Sequence, residues 1–306
     1  MDHIDRRTAL GYLAAAGAFA LTATPGLARS DALLRKPIPG TGETIPAIGL
    51  GSWQTFNVGD DPRALDRCAE VIGRFFALGG TVIDSSPMYG SSQPTIGHAI
   101  AKLGKERAVF SADKVWTSSG NEGPEQIEQS RRHWQVPYFH LLQIHNLLSW
   151  EDHLRTLQRM KQERRVRYIG ITTSHGRRHD EFERVIRNHD LDFIQVTYNA
   201  VDREVEQRIL PLARERGMAV LVNRPFRQGD LIDKAKRHPL PPWAGEAGCA
   251  NWAQLLLKFI VSHPAVTCAI PATGRIDHLE ENMGAMTGLQ PDEPMRRRIA
   301  AHVEGL

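Results

Sequence analysis

The chain alternates between short apolar segments and amphipathic segments along most of its 306 residues, and this alternation restricts its fold more than any other feature. Hydrophobic residues three or four apart mark the amphipathic segments as helices, and short runs rich in β-branched residues mark strands. The predicted strands are 45–53, 81–83, 109–112, 139–144, 166–171, 193–197, 218–222 and 266–270. The predicted helices are 62–78, 91–103, 124–134, 150–163, 180–188, 203–216, 252–261 and 276–286.

Strands and helices in regular alternation predict an α/β fold with a parallel sheet covered by helices. Eight such units favour a single closed (β/α)8 TIM barrel, because open parallel sheets usually have fewer strands. An open dinucleotide-binding sheet would carry Gly-x-Gly-x-x-Gly after its first strand, and Gly49-Leu50-Gly51 lacks the third glycine. The segment 228–248 is predicted to be a long loop over the mouth of the barrel.

The first 28 residues differ from the rest of the chain. Arg6-Arg7 precede an uncharged run from Ala9 to Ala23, and Pro25-Gly26-Leu27-Ala28 offers small residues for cleavage. A twin-arginine pair before a short apolar run is typical of a signal peptide for the twin-arginine (Tat) export route. We therefore predict a signal peptide at 1–28, a barrel at 29–306, the Tat machinery as a partner and a periplasmic or otherwise exported location. An amphipathic helix and an uncleaved membrane anchor are the alternatives for this segment.

Composition excludes several other classes of protein. Hydrophobic residues make up 41% and charged residues 24%, as in ordinary globular proteins. A net charge of +3, from 38 Lys and Arg against 35 Asp and Glu, is too small for a nucleic-acid-binding protein. Cys68, Cys249 and Cys268 show no CxxC spacing, so no metal site is predicted, and one disulfide is left open. We expect a monomer with no membrane span after residue 28.

Polar side chains stand where three successive predicted strands end. Asp84 follows the second strand, Lys114 the third and His145 the fourth, and Tyr89 lies shortly after Asp84. Active sites of such barrels lie at the C-terminal ends of the strands, so we expect these four side chains to converge. A neighbouring ammonium lowers the pKa of a phenol, a carboxylate holds the ammonium, and a neutral imidazole can orient a carbonyl oxygen. The set predicts protonation of a carbonyl oxygen while another group supplies hydride.

The segments around these residues resemble the signatures of the aldo-keto reductases. Residues 80–90 are similar to the first signature of that family, and Lys114-Val115-Trp116 and Gln143-Ile144-His145 are similar to its second and third catalytic segments. Further similar segments are 168–172, 195–199, 224–226, 270–271 and 281–282. The resemblance, which covers roughly residues 35–290, implies a (β/α)8 barrel, a nicotinamide cofactor bound without a Rossmann domain, and carbonyl reduction.

The resemblance also implies a role for each of the four strand-end residues. Tyr89 would be the general acid, Lys114 would lower the pKa of Tyr89, Asp84 would hold Lys114, and His145 would orient the substrate. The residues expected around the substrate are Trp53, Met88, Trp116, Asn146 and Phe226. An apolar, aromatic pocket favours aldehydes or ketones of modest polarity, although sugars also stack on tryptophan.

The positions implied for the cofactor depart from the common pattern of the family. Thr172 and Thr173 replace Ser-Asn at the nicotinamide carboxamide, whereas Gln195 matches its other contact. Asn223 replaces an aromatic ring that usually stacks on the nicotinamide, and Arg275 is our candidate partner for the 2′-phosphate of NADP. The implied cofactor is therefore NADP, with NAD as the alternative. The full set of implied cofactor residues is Thr172, Thr173, Gln195, Asn223, Arg224, Thr273, Arg275, Glu281 and Asn282.

These observations predict an exported, NADP(H)-dependent oxidoreductase that reduces an aldehyde or ketone to an alcohol. Two alternatives remain open from the sequence. One is an exported enzyme that uses a tightly bound cofactor for internal redox chemistry, such as dismutation of a sugar. The other is a barrel that holds a nucleotide or sugar without turnover.

Overall fold

A short hairpin precedes the barrel in the structure, a computed structural model that describes residues 32–306. Its strands β1 (Arg35–Pro37) and β2 (Thr44–Pro46) are antiparallel. Ile38 and Ile45 of the hairpin belong to the same buried cluster as side chains from inside the barrel. The hairpin therefore plugs one end of the barrel. The predicted signal peptide lies outside the described residues.

Eight parallel strands follow, hydrogen-bonded to one another in chain order. They are β3 (Leu50–Gly51), β4 (Val82–Asp84), β5 (Phe110–Val115), β6 (Phe139–Ile144), β7 (Val166–Thr172), β8 (Phe193–Thr197), β9 (Ala219–Asn223) and β10 (Cys268–Ala269). The first and last strands meet where the Gly51 N–H donates to Pro271 O at 3.0 Å. A Cβ at Gly51 would lie 2.7 Å from Ile270 O, so this junction requires glycine. The sheet closes into a (β/α)8 barrel, and the predicted fold class is confirmed.

Helices cover the outside of the barrel. They are α1 (Pro62–Ala77), α2 (Ser92–Lys102), α3 (Gly123–Trp134), α4 (Trp150–Gln162), α5 (His179–Asn188), α6 (Ile209–Glu215), α7 (Asp230–Ala235), α8 (Trp252–Val261), α9 (Ile276–Met283) and α10 (Glu293–Glu304). The Asp61 carboxylate caps α1 by accepting from the N–H groups of Arg63 at 2.8 Å and Ala64 at 3.2 Å. The larger hydrophobic core lies between the helices and the outer face of the strands. None of the helices in residues 32–306 has the length and apolar character needed to cross a membrane.

The structure differs from the predicted elements in four places. The predicted helix 203–216 is a 3-10 turn followed by the short helix α6, because Pro211 lacks an N–H donor and fits only near a helix start. The predicted loop 228–248 contains α7 and a 3-10 helix at Pro242–Ala247. The first predicted strand divides into β2 and β3, and α10 lies beyond the last predicted helix. The three cysteines are buried and free, so the disulfide left open by the sequence does not form.

The side chains that point into the barrel are apolar at one end of the barrel and polar at the other. Inward-facing positions lie two residues apart along each strand. The apolar inward-facing residues on four strands are Val82, Phe110, Leu141 and Phe193. The buried polar residues further along the same strands are Asp84, Lys114, Gln143 and Gln195. Polar side chains therefore gather at the C-terminal ends of the strands, opposite the hairpin.

Candidate active site

A buried ion pair lies at the centre of the polar end. The Lys114 ammonium donates to Asp84 Oδ2 at 2.5 Å and to Ser85 O at 2.8 Å. Both side chains of the pair are almost inaccessible, with 1% and 3% exposed. Burial lowers the pKa of Lys114, but the charge of Asp84 and the other nearby acidic groups outweigh it and raise that pKa overall. Lys114 therefore carries a fixed positive charge.

Two glutamines complete the hydrogen bonding of the Asp84 carboxylate. Its second oxygen, Oδ1, accepts from Gln195 Nε2 at 2.9 Å and from Gln143 Nε2 at 3.2 Å. Sequence reasoning expected Gln195 at the nicotinamide carboxamide and assigned no role to Gln143. Both glutamines occupy inward-facing positions at the level of Asp84, so the strand register is the signal that could have found this contact. Asp84 is thereby held in one orientation toward Lys114.

Tyr89 projects from a 3-10 turn, Pro87–Tyr89, that the Ser86 hydroxyl caps by accepting from Met88 N at 3.2 Å. The Lys114 ammonium lies 5.1 Å from the centroid of the Tyr89 ring. Burial raises the pKa of the phenol, Lys114 lowers it in part, and Asp84 raises it again. The net pKa lies above the ordinary value of about 10. The resting phenol is therefore neutral: Lys114 lowers the pKa of Tyr89, as the sequence implied, but burial outweighs that effect.

His145 stands beside Tyr89 with its imidazole ring at right angles to the phenol ring, and the two ring centroids are 5.8 Å apart. The His145 Nδ1 atom hydrogen-bonds with Ser86 Oγ at 2.8 Å. Burial, followed by the charge of Lys114, lowers the pKa of His145 to about 3. The imidazole is therefore neutral near pH 7, and a neutral imidazole can orient a carbonyl oxygen through its one N–H donor. Ser86 has no role in the sequence interpretation, although it lies within the first signature segment.

A cavity of about 310 Å³ opens onto Tyr89 and His145. We call it the catalytic cavity. Residues from both the substrate set and the cofactor set line it, namely Trp53, Met88, Asn146, Thr172, Gln195, Asn223 and Arg224. It is also lined by Ser174, His175, Arg177 and Gln228, which the sequence analysis did not single out. These four come from loops after β7 and β9, and no motif marks them.

The residues at the expected nicotinamide position also bond to one another. Asn223 Nδ2 donates to Thr173 O at 3.0 Å, and its Oδ1 accepts from Thr197 at 2.7 Å. The Thr172 hydroxyl accepts from the backbone N–H of Asn146 at 2.9 Å. Thr173 donates its hydroxyl to Arg177 O at 2.5 Å and does not line the catalytic cavity. Asn223 therefore presents polar groups at the position where an aromatic ring would otherwise stack on the nicotinamide.

A second cavity of about 330 Å³ adjoins the catalytic cavity, and we call it the distal cavity. The two share Trp53, Arg224, Gln228 and Ala272. The distal cavity is also lined by Phe226, Thr273, His278, Glu281 and Asn282. Phe226 was expected at the substrate and instead lies here.

Arg275 does not line the distal cavity. Its guanidinium group binds the carboxylate of Asp277, with Nη2 2.5 Å from Oδ2, and its side chain is 65% exposed. Its backbone N–H donates to the Thr273 hydroxyl at 3.1 Å. Arg275, the candidate partner for the 2′-phosphate, therefore lies close to the distal cavity, and its guanidinium group forms an ion pair with Asp277.

Trp116 lies in a third space next to the site. Its ring centroid is 6.5 Å from that of His145, and its side chain is among the most exposed hydrophobic groups between residues 32 and 306. It lines a groove of about 530 Å³ together with Gln93, Gln126, Gln129 and Leu148. Of the residues expected at the substrate, Trp53, Met88 and Asn146 thus share the catalytic cavity, and Trp116 borders it.

Comparison with known proteins identifies the family. The model of the aldo/keto reductase family matches residues 47–303. A curated relative, the NADH-specific methylglyoxal reductase of Escherichia coli (strain K12), is 25% identical over 310 residues, covering 87% of this chain and 92% of the relative. The L-galactose dehydrogenase of Arabidopsis thaliana is 24% identical and covers 82% of this chain and 87% of its own length.

Solved structures show the same fold. An aldo/keto reductase from Klebsiella pneumoniae, in complex with NADP and acetate, has a TM-score of 0.70 at 22% identity, covering 87% of this chain and 94% of that one. The holo form of an aldo-keto reductase from Bacillus halodurans has a TM-score of 0.73 at 20% identity, covering 88% and 96%. The family match spans most of the chain and contains Asp84, Tyr89, Lys114 and His145. The chain belongs to the aldo/keto reductase family of oxidoreductases.

Proposed function

We propose that this protein reduces an aldehyde or ketone to an alcohol, with a nicotinamide dinucleotide as the hydride source and Tyr89 as the proton donor. The observation that carries this proposal is a neutral phenol that faces His145 in the catalytic cavity with the Lys114 ammonium 5.1 Å from its ring. Such a phenol can donate a proton, and the nearby ammonium stabilises the phenolate that remains.

The residues divide the chemistry among them. The neutral imidazole of His145 orients the carbonyl oxygen toward the Tyr89 hydroxyl. When bound, the dinucleotide supplies hydride to the carbonyl carbon. As the carbon–oxygen double bond becomes a single bond, the oxygen takes the proton from Tyr89, and the product is the alcohol. Lys114 stabilises the phenolate until a proton from solvent restores it, while Asp84 keeps Lys114 in place.

The described residues fit an extended dinucleotide. The catalytic and distal cavities adjoin at Trp53 and Arg224, so a dinucleotide that passes these side chains would extend from Tyr89 toward Asn282. Thr172, Gln195 and Asn223 offer polar groups to a carboxamide, and Arg224 offers a positive charge where the two cavities meet. Thr273, Glu281 and Asn282 would hold the adenosine end. The space suits the group, although the ring-stacking contact is absent from position 223.

We propose NADP as the cofactor, with NAD as the alternative. The Klebsiella pneumoniae structure is a complex with NADP, whereas the Escherichia coli relative is named NADH-specific. Oxidation of NADPH and of NADH by the purified protein, followed at 340 nm with a panel of aldehydes, tests both the activity and the cofactor. Carbonyl-dependent oxidation supports the proposal, and no oxidation of either dinucleotide with any carbonyl contradicts it.

We also propose that the protein is exported through the Tat route. The support is the pair Arg6-Arg7, the uncharged run Ala9–Ala23 and the small residues at 25–28. Within the described residues 32–306, the first strand begins at Arg35, downstream of this segment. Because the Tat route carries folded proteins, a reductase exported this way can load its dinucleotide before it crosses the membrane. The Tat machinery would then be its partner, and the periplasm or cell exterior its location.

A further inference from the structure

Unpaired positive charge lies at the mouth of the catalytic cavity. Arg177 and Arg224 both line it, together with His175. The guanidinium groups of the two arginines form no hydrogen bond or ion pair with other residues of the described 32–306 segment. Among the described residues that line this cavity, Asp84 is the only acid, and Lys114 holds it. The cavity therefore has an excess of positive charge.

Arg177 is positioned on the side of the cavity where the carbonyl would bind. Ser174 donates its hydroxyl to Asn146 Oδ1 at 3.2 Å. The Arg178 guanidinium donates to Asn146 O at 2.9 Å and to Leu147 O at 2.8 Å. These bonds fasten the segment that carries Arg177 to the turn that begins with His145. The Arg177 carbonyl is itself fixed by the Thr173 hydroxyl, while its side chain is exposed to solvent.

Arg224 occupies a different position in the same cavity. Arg224 lines both the catalytic cavity and the distal cavity, whereas Arg177 lines only the catalytic cavity. Burial lowers the pKa of Arg224, Asp202 and Asp230 raise it, and the charges of Arg227 and Arg177 lower it further. The two guanidinium groups are thus close enough to repel. Arg224 is placed for the cofactor, which leaves Arg177 for the substrate.

We infer that the preferred carbonyl substrate carries an oxyanion, a carboxylate or a phosphate, which Arg177 binds while the carbonyl meets Tyr89 and His145. This inference rests on the proposed function and specifies its substrate class. A guanidinium binds an oxyanion with two parallel hydrogen bonds, and the partly enclosed cavity strengthens the attraction. An anionic substrate also compensates the charge of Arg177, which forms no ion pair within residues 32–306.

The test compares matched pairs of aldehydes that differ in charge. Succinic semialdehyde is paired with its methyl ester, and glyceraldehyde 3-phosphate with glyceraldehyde, so that the arms separate a carboxylate from a phosphate. The wild type should favour at least one anionic member by about tenfold or more in kcat/KM. Arg177→Ala should reduce that ratio by about tenfold to a hundredfold, mainly through KM, because it removes a charge-assisted hydrogen bond. Arg177→Lys should retain part of the preference.

Two controls make the result specific. Arg184→Ala removes an exposed arginine of α5 that lies outside both cavities and should leave the ratio unchanged. Binding of NADPH, followed by fluorescence, should be unaffected in Arg177→Ala and weakened in Arg224→Ala. Three results would each overturn the inference. They are equal kcat/KM of the wild type for charged and neutral aldehydes, an unchanged anionic-to-neutral ratio in Arg177→Ala, and a loss of NADPH binding in Arg177→Ala as large as that in Arg224→Ala. Failure with these four aldehydes while other aldehydes or ketones are reduced would also overturn the inference, whereas failure with every carbonyl tested would instead contradict the proposed function.

Discussion

The Tyr89 phenol is buried next to an ammonium and yet keeps its proton, which clarifies what Lys114 does. Burial raises the pKa of Tyr89 by more than Lys114 lowers it. Asp84 and Ser85 O take two of the three N–H donors of Lys114, and the charge of Asp84 partly compensates the ammonium. In the resting state Tyr89 is therefore protonated and ready to donate, and the Lys114 ammonium stabilises the phenolate once it forms. This arrangement suits reduction of a carbonyl.

A first prediction concerns Arg275 and its ion pair with Asp277. If Arg275 contacts the 2′-phosphate, it must exchange the Asp277 carboxylate for that phosphate. Arg275→Ala should then weaken binding of NADPH more than binding of NADH, and Asp277→Asn should strengthen NADPH binding selectively. Fluorescence titration of each variant with both dinucleotides measures the effect. Equal changes for NADPH and NADH would show that Arg275 does not recognise the phosphate.

A second prediction concerns pH and His140. Burial, followed by the charge of Arg167, lowers the pKa of His140 to about 4, and its ring stacks on Phe110 at 5.0 Å. In the unfolded chain this histidine titrates near 6.5, so between about pH 6.5 and 4 the unfolded state binds more protons. The free energy of unfolding should therefore fall as the pH falls through this range.

The His140→Asn variant isolates this effect from the other titrating groups. Urea denaturation at pH 7.5 and 5.5 should show a fall in stability that is larger in the wild type than in His140→Asn, by about 1 kcal/mol. A difference between the two proteins that does not change with pH would mean that His140 keeps an ordinary pKa in the folded state.

At the scale of elements, the packing of α2 on α3 depends on a glycine. A Cβ at Gly97 would lie 1.9 Å from the carbonyl oxygen of His133, which is a backbone atom and cannot move aside. Gly73 in α1 is the matched control, because its Cβ would lie 3.4 Å from the flexible Leu103 side chain. Both helices should gain about 1 kcal/mol of helix propensity from alanine.

The third prediction compares these two substitutions. Gly97→Ala should lower the free energy of unfolding by about 2 kcal/mol or more, because the clash outweighs the gain in propensity. Gly73→Ala should be neutral or stabilising by up to about 1 kcal/mol. Chemical denaturation of both variants measures the difference. Equal stability of the two would mean that α2 and α3 can separate without cost.

The elements that hydrophobic periodicity could not predict are those set by local exceptions. The alternation was sufficient to place all eight barrel strands, but Pro211 shortened one predicted helix. The segment 228–248 has no clear period, so α7 within it was not predicted. At the site, Asp84, Lys114 and His145 could be predicted from their places at strand ends, because a barrel brings the C-terminal ends of its strands together. The strand register could have identified Gln143, which lies at an inward-facing position. The contact of Ser86 and the proposed role of Arg177 depend on side chains in loops, which no spacing reveals.

At the scale of the whole molecule, the barrel lies within the described residues, and the proposed signal peptide at 1–28 lies outside them. Because bound ligand stabilises the folded state by mass action, a dinucleotide loaded in the cytoplasm would also stabilise the chain during export. If the protein is exported as proposed, it should then retain its cofactor outside the cytoplasm. Slow release of the dinucleotide would allow activity where free dinucleotide is scarce.

The fourth prediction tests the proposed signal peptide. Replacing both Arg6 and Arg7 by lysine should leave the protein in the cytoplasm, active and uncleaved, because the Tat route reads the twin arginines. Cell fractionation of the wild type and the variant measures export, and mass spectrometry of the exported wild type measures its bound nucleotide. Equal export of both proteins would contradict the Tat proposal, and exported protein without nucleotide would contradict loading before export.

The central claim is that Tyr89 protonates the carbonyl oxygen, and one substitution tests it most directly. Tyr89→Phe removes the hydroxyl and keeps the ring beside Lys114 and His145. We predict that carbonyl-dependent oxidation of NADPH or NADH falls by about 10²-fold or more in kcat, as expected for loss of a general acid, while dinucleotide affinity is unchanged. Near-normal turnover by Tyr89→Phe with intact dinucleotide binding would contradict the account.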